Sequence, residues 1–291
     1  VNAIAAPRPL ERRPIADFFR ETLIVARYEI VSLALSVRAL LLIVGYGATA
    51  GAVGAFYLWL DKTSDGKLGE FTKKAADLSP DQKEQIISQV AKTLGRPLAS
   101  AIFNGDLPPL VLTVLLLSTF AIPGLVLLVG YSGIADDLST RFARYILQRV
   151  RRPSYLFGKL VGHFVVAYVA IILVHAALLA YGTTIENFEL EKTVPALPRI
   201  WGAMAFFVLG YVAFTAFFSA TISPPFAAFA VGGMALVGFW ILSFFPYVGE
   251  VWMGSWHMRL WALDPEAIGV YLAHAIVFSL LAYVGMRRRD V

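Results

Sequence analysis

Residues Ile134–Gly162 read IADDLSTRFARYILQRVRRPSYLFGKLVG. The stretch opens on paired acids, Asp136 and Asp137, grows dense in arginine, meets Pro153, and passes through Gly158-Lys159 into an apolar run. Its flanks are Leu110–Tyr131 and Leu160–Tyr181, and neither holds an Asp, Glu, Lys or Arg. A helix of about 20 residues rising about 1.5 Å per residue crosses the roughly 30 Å of hydrocarbon in a bilayer. A charged segment between two such runs is therefore the loop of a membrane protein.

Working outward, four more uncharged runs of the same kind appear: Ala39–Leu60, Ile200–Thr221, Phe226–Phe245 and Ile268–Met286. The chain is 58% hydrophobic and 15% charged, with a mean hydropathy of +0.69. Soluble domains carry about 25% charged residues. A helix satisfies its own backbone in lipid, so the expected fold is all-α, a polytopic membrane protein with six transmembrane helices. The expected divisions are 1–38, a cytosolic N-terminus with an amphipathic helix, and 39–291, the six-helix domain. The latter contains an external insert 61–109, a cytosolic loop 132–159 and an external aromatic re-entrant segment 246–267.

Lys and Arg set the orientation. With the N-terminus inside, fifteen of the 25 basic residues fall on the cytosolic side: Arg8, Arg12, Arg13, Arg20, Arg27 and Arg38, then Arg141, Arg144, Arg149, Arg151, Arg152 and Lys159, then Arg287, Arg288 and Arg289. Both termini are thus expected in the cytosol. The basic pI of about 9.4 describes a membrane face that attracts lipid phosphates, and no nucleic-acid partner is expected. Residues 1–20 have arginines but no apolar core, so no cleavable signal is expected. With no cysteine, disulfides and cysteine metal sites are excluded.

Smaller elements follow from spacing. Ile15, Phe18, Phe19, Thr22, Leu23, Ala26, Ile30, Leu33 and Val37 recur at helical steps, with Arg20, Glu21, Arg27 and Glu29 elsewhere on the helix. This predicts an amphipathic helix along the inner membrane surface. Ser79-Pro80-Asp81-Gln82 is a capping box, opening a helix whose stripe is Ile86, Ile87, Val90 and Leu94 and which Gly95 and Pro97 end. This insert helix caps the bundle or meets an external partner. Pro123-Gly124 predicts a kink in the second span. Tyr247, Trp252, Trp256 and Trp261 suggest an interfacial aromatic belt.

Within the charged loop, Asp136–Arg152 reads as one helix stopped by Pro153. Asp137 and Arg141 are four apart and able to pair, and Leu138, Phe142, Tyr145 and Ile146 share a face. Arg144, Gln148, Arg151 and Arg152 remain for head groups or an acidic partner. The run Asp136-Asp137-Leu138, Arg151-Arg152-Pro153 and Gly158-Lys159 resembles the permease subunits of type-2 ABC transporters. Many members carry Gly-Thr or Ser-Gly where this chain has Ser139-Thr140-Arg141. The resemblance implies a bacterial inner-membrane permease acting as a homodimer or close heterodimer with two copies of a separate ATP-binding subunit. Its coupling surface to that subunit would be Asp136, Asp137, Leu138, Arg141, Phe142, Arg144, Tyr145, Arg149 and Arg152. ATP and Mg would bind the partner, and this chain would hold no cofactor itself.

Bottom-up, the sequence lacks its own phosphate loop: Gly66-Lys67 and Gly158-Lys159 are both followed by Leu and lack the upstream glycine. Gly47, Gly51 and Gly54 are a candidate dimer or packing face, and Gly158 and Gly162 permit close helix contact. His163, His175 and His274 are ionisable residues inside spans and so candidates for an intramembrane polar site. No metal site is expected from them. Uncharged spans favour export of an amphipathic or lipid-like substrate, or mechanical signalling across the membrane, over an ion relay. The rival readings are a lipid-modifying membrane enzyme using His257, Glu250 and Asp264, and an assembly factor that does not transport.

Overall fold

The computed structural model describes residues 15–63, 78–94, 109–140, 142–184, 190–242, 245, 247 and 251–289. Regular structure among them is helical: α1 (Ile15–Ala34), α2 (Val37–Thr63), α3 (Pro80–Leu94), α4 (Pro109–Gly130), α5 (Ala135–Ser139), α6 (Phe142–Leu147), α7 (Arg152–Gly182), α8 (Leu190–Thr221), α9 (Pro225–Leu242), α10 (His257–Trp261) and α11 (Pro265–Arg287), with a 3-10 turn, Met253–Trp256, before α10. Among the described residues six stretches, carried by α2, α4 (running on into α5), α7, α8, α9 and α11, are long and apolar enough to cross a membrane. This arrangement is compatible with a multi-pass membrane protein.

Helix α7 extends well past the run read from sequence. Its 31 residues span about 46 Å, against roughly 30 Å of hydrocarbon. The surplus lies at its N-terminal end, where Arg152–Lys159 precede the uncharged run. Pro153 is the second residue of α7 and so starts a helix instead of stopping one, as its missing N–H and fixed φ allow. Pro123 lies inside α4, which continues through it.

The most enclosed helix is α8, packed along α11 and against α4, α7 and α9. Phe207, Met204, Val208 and Ala203 are fully buried there. Helix α2 lies against α4 and α7, and α1 runs along α7. The apolar side chains left outside, such as Leu40, Val44, Phe226, Ile276 and Leu280, are each more than half exposed. Water would not tolerate so much apolar surface, whereas lipid would.

Three sequence expectations change here. Trp252 and Trp261 are core residues. Trp252 stacks on Phe239 with centroids 4.6 Å apart, and Trp261 lies 5.2 Å from Phe207. Only Tyr247 among the segment's aromatics stands far out, at 87% exposure. The aromatic segment thus closes the bundle by filling space between α8, α9 and α11. The second change concerns α1. Its buried residues are Glu21, Val25, Ala26, Glu29 and Leu33, while Ile15, Phe19 and Leu23 face outward. The face laid on the protein is the one that carries Glu21 and Glu29.

The third change is in the loop. One helix over Asp136–Arg152 is replaced by two short ones, α5 and α6, and a turn. Ser139 Oγ and Thr140 Oγ1 both donate to the Asp136 carbonyl, at 2.9 and 2.8 Å. Such local side-chain bonds compete with helix propagation. The capping box at α3 forms as read: Gln82 N–H donates to Ser79 Oγ at 3.3 Å and Ser79 N–H to Gln82 Oε1 at 3.2 Å. Ile87 of its stripe is buried. The helix stop at Gly95 and Pro97 and most of the remaining insert lie outside the described residues.

Candidate functional site: a buried ionic hub at the loop end of the bundle

Gly158 and Gly162 bring α1 and α7 together. A Cβ on Gly158 would come 2.5 Å from Val25 Cβ, and one on Gly162 would come 2.6 Å from Glu29 Cβ. The small-residue pair thus serves packing within the chain. The approach drives Glu29 into the interior opposite Lys159. Lys159 Nζ donates to Glu29 Oε2 at 2.6 Å and stands 2.8 Å from Asp137 Oδ2. Their side chains are 6%, 5% and 16% exposed, so all three charges are withdrawn from solvent together. Burying a lone charge costs several kcal/mol or more, which is why the cation sits between two anions.

Further groups complete the hub. Tyr155 OH donates to Asp137 Oδ2 at 2.6 Å. His163 Nδ1 donates to the Lys159 carbonyl at 2.9 Å and lies 3.7 Å from Glu29 Oε1. Its Nε2 is buried and meets no partner among the described residues. Arg38, on the second residue of α2, donates to Asp136 Oδ2 at 3.1 Å. At the start of α5 the N–H groups of Ile134 and Ala135 both donate to Ser219 Oγ of α8, at 3.1 and 3.0 Å. A helix start leaves such donors without intrahelical acceptors, and here another helix supplies one. Arg151 N–H donates to Glu21 Oε2 at 3.0 Å, fixing the start of α7 to α1. The five-residue helix α5 is thus held by α2, α7 and α8 at once.

The expected coupling residues separate into two groups. Asp137 points into the bundle and meets Lys159 and Tyr155, while Asp136 pairs with Arg38 at the more open edge; the expected partner of Asp137, Arg141, lies outside the described residues. Leu138 and Ile146 are half-buried against the core, and Arg152 reaches the Arg287 carbonyl at 3.5 Å. Arg151, expected to be left for head groups, is engaged with Glu21. Phe142, Arg144, Tyr145 and Arg149 face outward, with Tyr145 at 70% exposure. The break between α5 and α6 is what divides the single face read from sequence.

The three histidines occupy three unrelated places. His163 belongs to the hub. His175 sits in a chain of donors whose protons can all be assigned. Trp201 Nε1 donates to its Nδ1 at 3.3 Å, so the ring proton is on Nε2 and goes to Tyr46 OH at 2.7 Å. Tyr46 then donates to Ser118 Oγ at 2.7 Å, and Ser118 to the Val114 carbonyl at 2.6 Å. His274 bonds its own helix at the Val270 carbonyl and packs on Trp252 and Phe278. Among the described residues no cluster of three or more His, Cys, Asp or Glu is placed to hold a metal ion. Of the glycines read as a dimer or packing face, Gly47 meets Val174 of α7, Gly51 is open and Gly54 is half-buried.

Two residues weighed for lipid chemistry have structural work. Asp264 caps α11, accepting from Glu266 N–H at 2.9 Å, and takes a hydrogen bond from Arg259 Nε at 2.6 Å. Burial works to raise its carboxyl, but the Arg259 hydrogen bond and charge together with the backbone N–H groups of Glu266 and Ala267 outweigh this and hold it below the usual carboxylate range. His257 Nδ1 is bonded to the Gly254 carbonyl, and burial pushes its imidazole below the ordinary value. Glu250 lies outside the described residues.

Sequence reasoning passed over Glu29, Tyr155, Ser219 and the inward role of Lys159. A signal was available. Glu21, Val25, Glu29 and Leu33 repeat every four residues, and so do Ser154, Gly158 and Gly162. Two such stripes on helices are complementary surfaces, one bulky and acidic, the other small. The chain matches no protein-family model, and no curated protein matches it significantly.

Proposed function

We propose that this chain is the membrane-spanning permease subunit of an ATP-driven transporter of the ABC type, resident in a bacterial inner membrane with both termini cytosolic. It pairs with a second permease chain, and two copies of a separate ATP-binding subunit dock on the loop. In this reading α5 and α6 form the docking element, with Phe142, Arg144, Tyr145 and Arg149 turned to the ATPase. Asp136 and Asp137 work on the other side, tying the element to the spans. The work done is export of an amphipathic or lipid-like substrate, or mechanical signalling to an external partner at 61–109.

The observation that supports this reading is the hub. A loop helix held by Arg38, Lys159 and Ser219 from α2, α7 and α8 cannot move without moving those helices. The outward apolar face of α1 over inward carboxylates also suits a helix at the lipid boundary. The test is affinity purification of the solubilised protein from its native membrane. An ATP-binding subunit should co-purify, and Tyr145→Glu combined with Phe142→Glu should release it. Recovery of the chain without any ATPase would overturn the proposal.

A further inference from the structure

Between α7, α8 and α11 lies a cavity of about 480 Å³, within the roughly 300–1,000 Å³ typical of small-molecule sites. Its walls run from Pro153 to Phe164 on α7 and from Leu272 to Tyr283 on α11, with Leu209 of α8 at the back. The lining is apolar apart from Ser279 and the Tyr283 phenol, and Ser279 spends its hydroxyl on the Ala275 carbonyl at 2.6 Å. Eleven helical steps make the groove about 16 Å long, close to half of the roughly 30 Å hydrocarbon thickness.

One end of this groove is charged. Arg152 opens α7 and Arg287 closes α11, and the Arg152 guanidinium reaches the Arg287 carbonyl at 3.5 Å, so the two helix ends meet at the mouth. Arg287 and Arg288 are exposed there. Tyr283 stands one turn inside, where an amphipathic ring suits the head-group level. We propose that the groove is a binding site for an anionic phospholipid of the leaflet on the loop side. One acyl chain lies along α7 and α11, and the phosphate sits at the arginine rim. The length of one leaflet, an apolar wall and a cationic mouth together match that molecule. A free anion would not use the wall, and a neutral lipid would not use the mouth. The site does not depend on the chain having an ATPase partner.

The chain has no cysteine, so a single cysteine can carry a bimane probe. Leu280→Cys places it on the groove wall and Phe226→Cys on α9 in the same leaflet; both residues are more than half exposed, so neither change empties the core. The purified full chain is placed in phosphatidylcholine bilayers containing a minor fraction of brominated phosphatidylglycerol or brominated phosphatidylcholine. At Leu280→Cys, brominated phosphatidylglycerol should reach half-quenching at a fraction about thirtyfold lower than brominated phosphatidylcholine, given about 1 kcal/mol of attraction for each of Arg287 and Arg288. At Phe226→Cys the two lipids should quench alike. Adding Arg287→Gln and Arg288→Gln should erase the preference at Leu280→Cys while leaving quenching by phosphatidylcholine. Equal quenching by the two lipids at Leu280→Cys means annular lipid only and overturns the proposal, as does a preference that survives loss of both arginines.

Discussion

Lys159 neutralises two carboxylates that would otherwise face each other in a medium with little screening. Removing one partner from a buried ion pair strands the other charge, and such losses run to about 3–5 kcal/mol. Lys159→Met should therefore lower unfolding stability by that order, read as the loss of helical signal on heating in detergent. Asp136 and Arg38 form a pair 45% and 37% exposed, and exposed pairs contribute only about 0–1 kcal/mol. Asp136→Asn should leave stability nearly unchanged. Equal losses from the two variants would mean that the hub is not the anchor of the loop. Adding Glu29→Gln to Lys159→Met should recover part of the loss, since the second change removes a charge left without its partner.

At the scale of elements, the contact of α1 with α7 depends on the absence of side chains at Gly158 and Gly162. Gly162→Val would place atoms where the Glu29 side chain lies. Overpacking of this kind costs about 1–3 kcal/mol. Because α1 meets mainly α7, it is the element expected to yield, so hydrogen exchange over residues 15–34 should quicken while α8 stays protected. A uniform response across the bundle would argue that α1 is integral to the core. The start of α11 offers a pH test. Asp264 is held below its ordinary value, so its contribution is present above about pH 4 and fades as pH falls through the lower folded value. The segment 251–264 should therefore loosen in acid, and Asp264→Asn should abolish that acid dependence; the measurement is exchange or proteolysis of the segment against pH.

For the whole molecule, the paths of the helices put Ser79 and Ser139 on opposite sides of the bundle if the six long helices each cross the membrane. In intact cells an impermeant maleimide should label Ser79→Cys directly and Ser139→Cys only after permeabilisation. The reverse pattern would invert the topology. The number, type and order of the long helices were legible in the sequence because uncharged runs of this length have few other stable states, and lipid forces each to satisfy its backbone within itself. The cap at Ser79 was legible because its partners lie three residues apart. The hub was not legible, because its members are far apart in sequence: Glu29 and Lys159 are separated by 130 positions. A carboxylate on an amphipathic helix also reads as a solvated face until a neighbour is known to cover it. The roles of Trp252 and Trp261 depended in the same way on which helices closed around them. Composition and local spacing determined the long helices and which of them could cross a bilayer. Only tertiary packing decided which charges are buried, because the cost of burying a charge is met by partners that the fold brings from elsewhere in the chain.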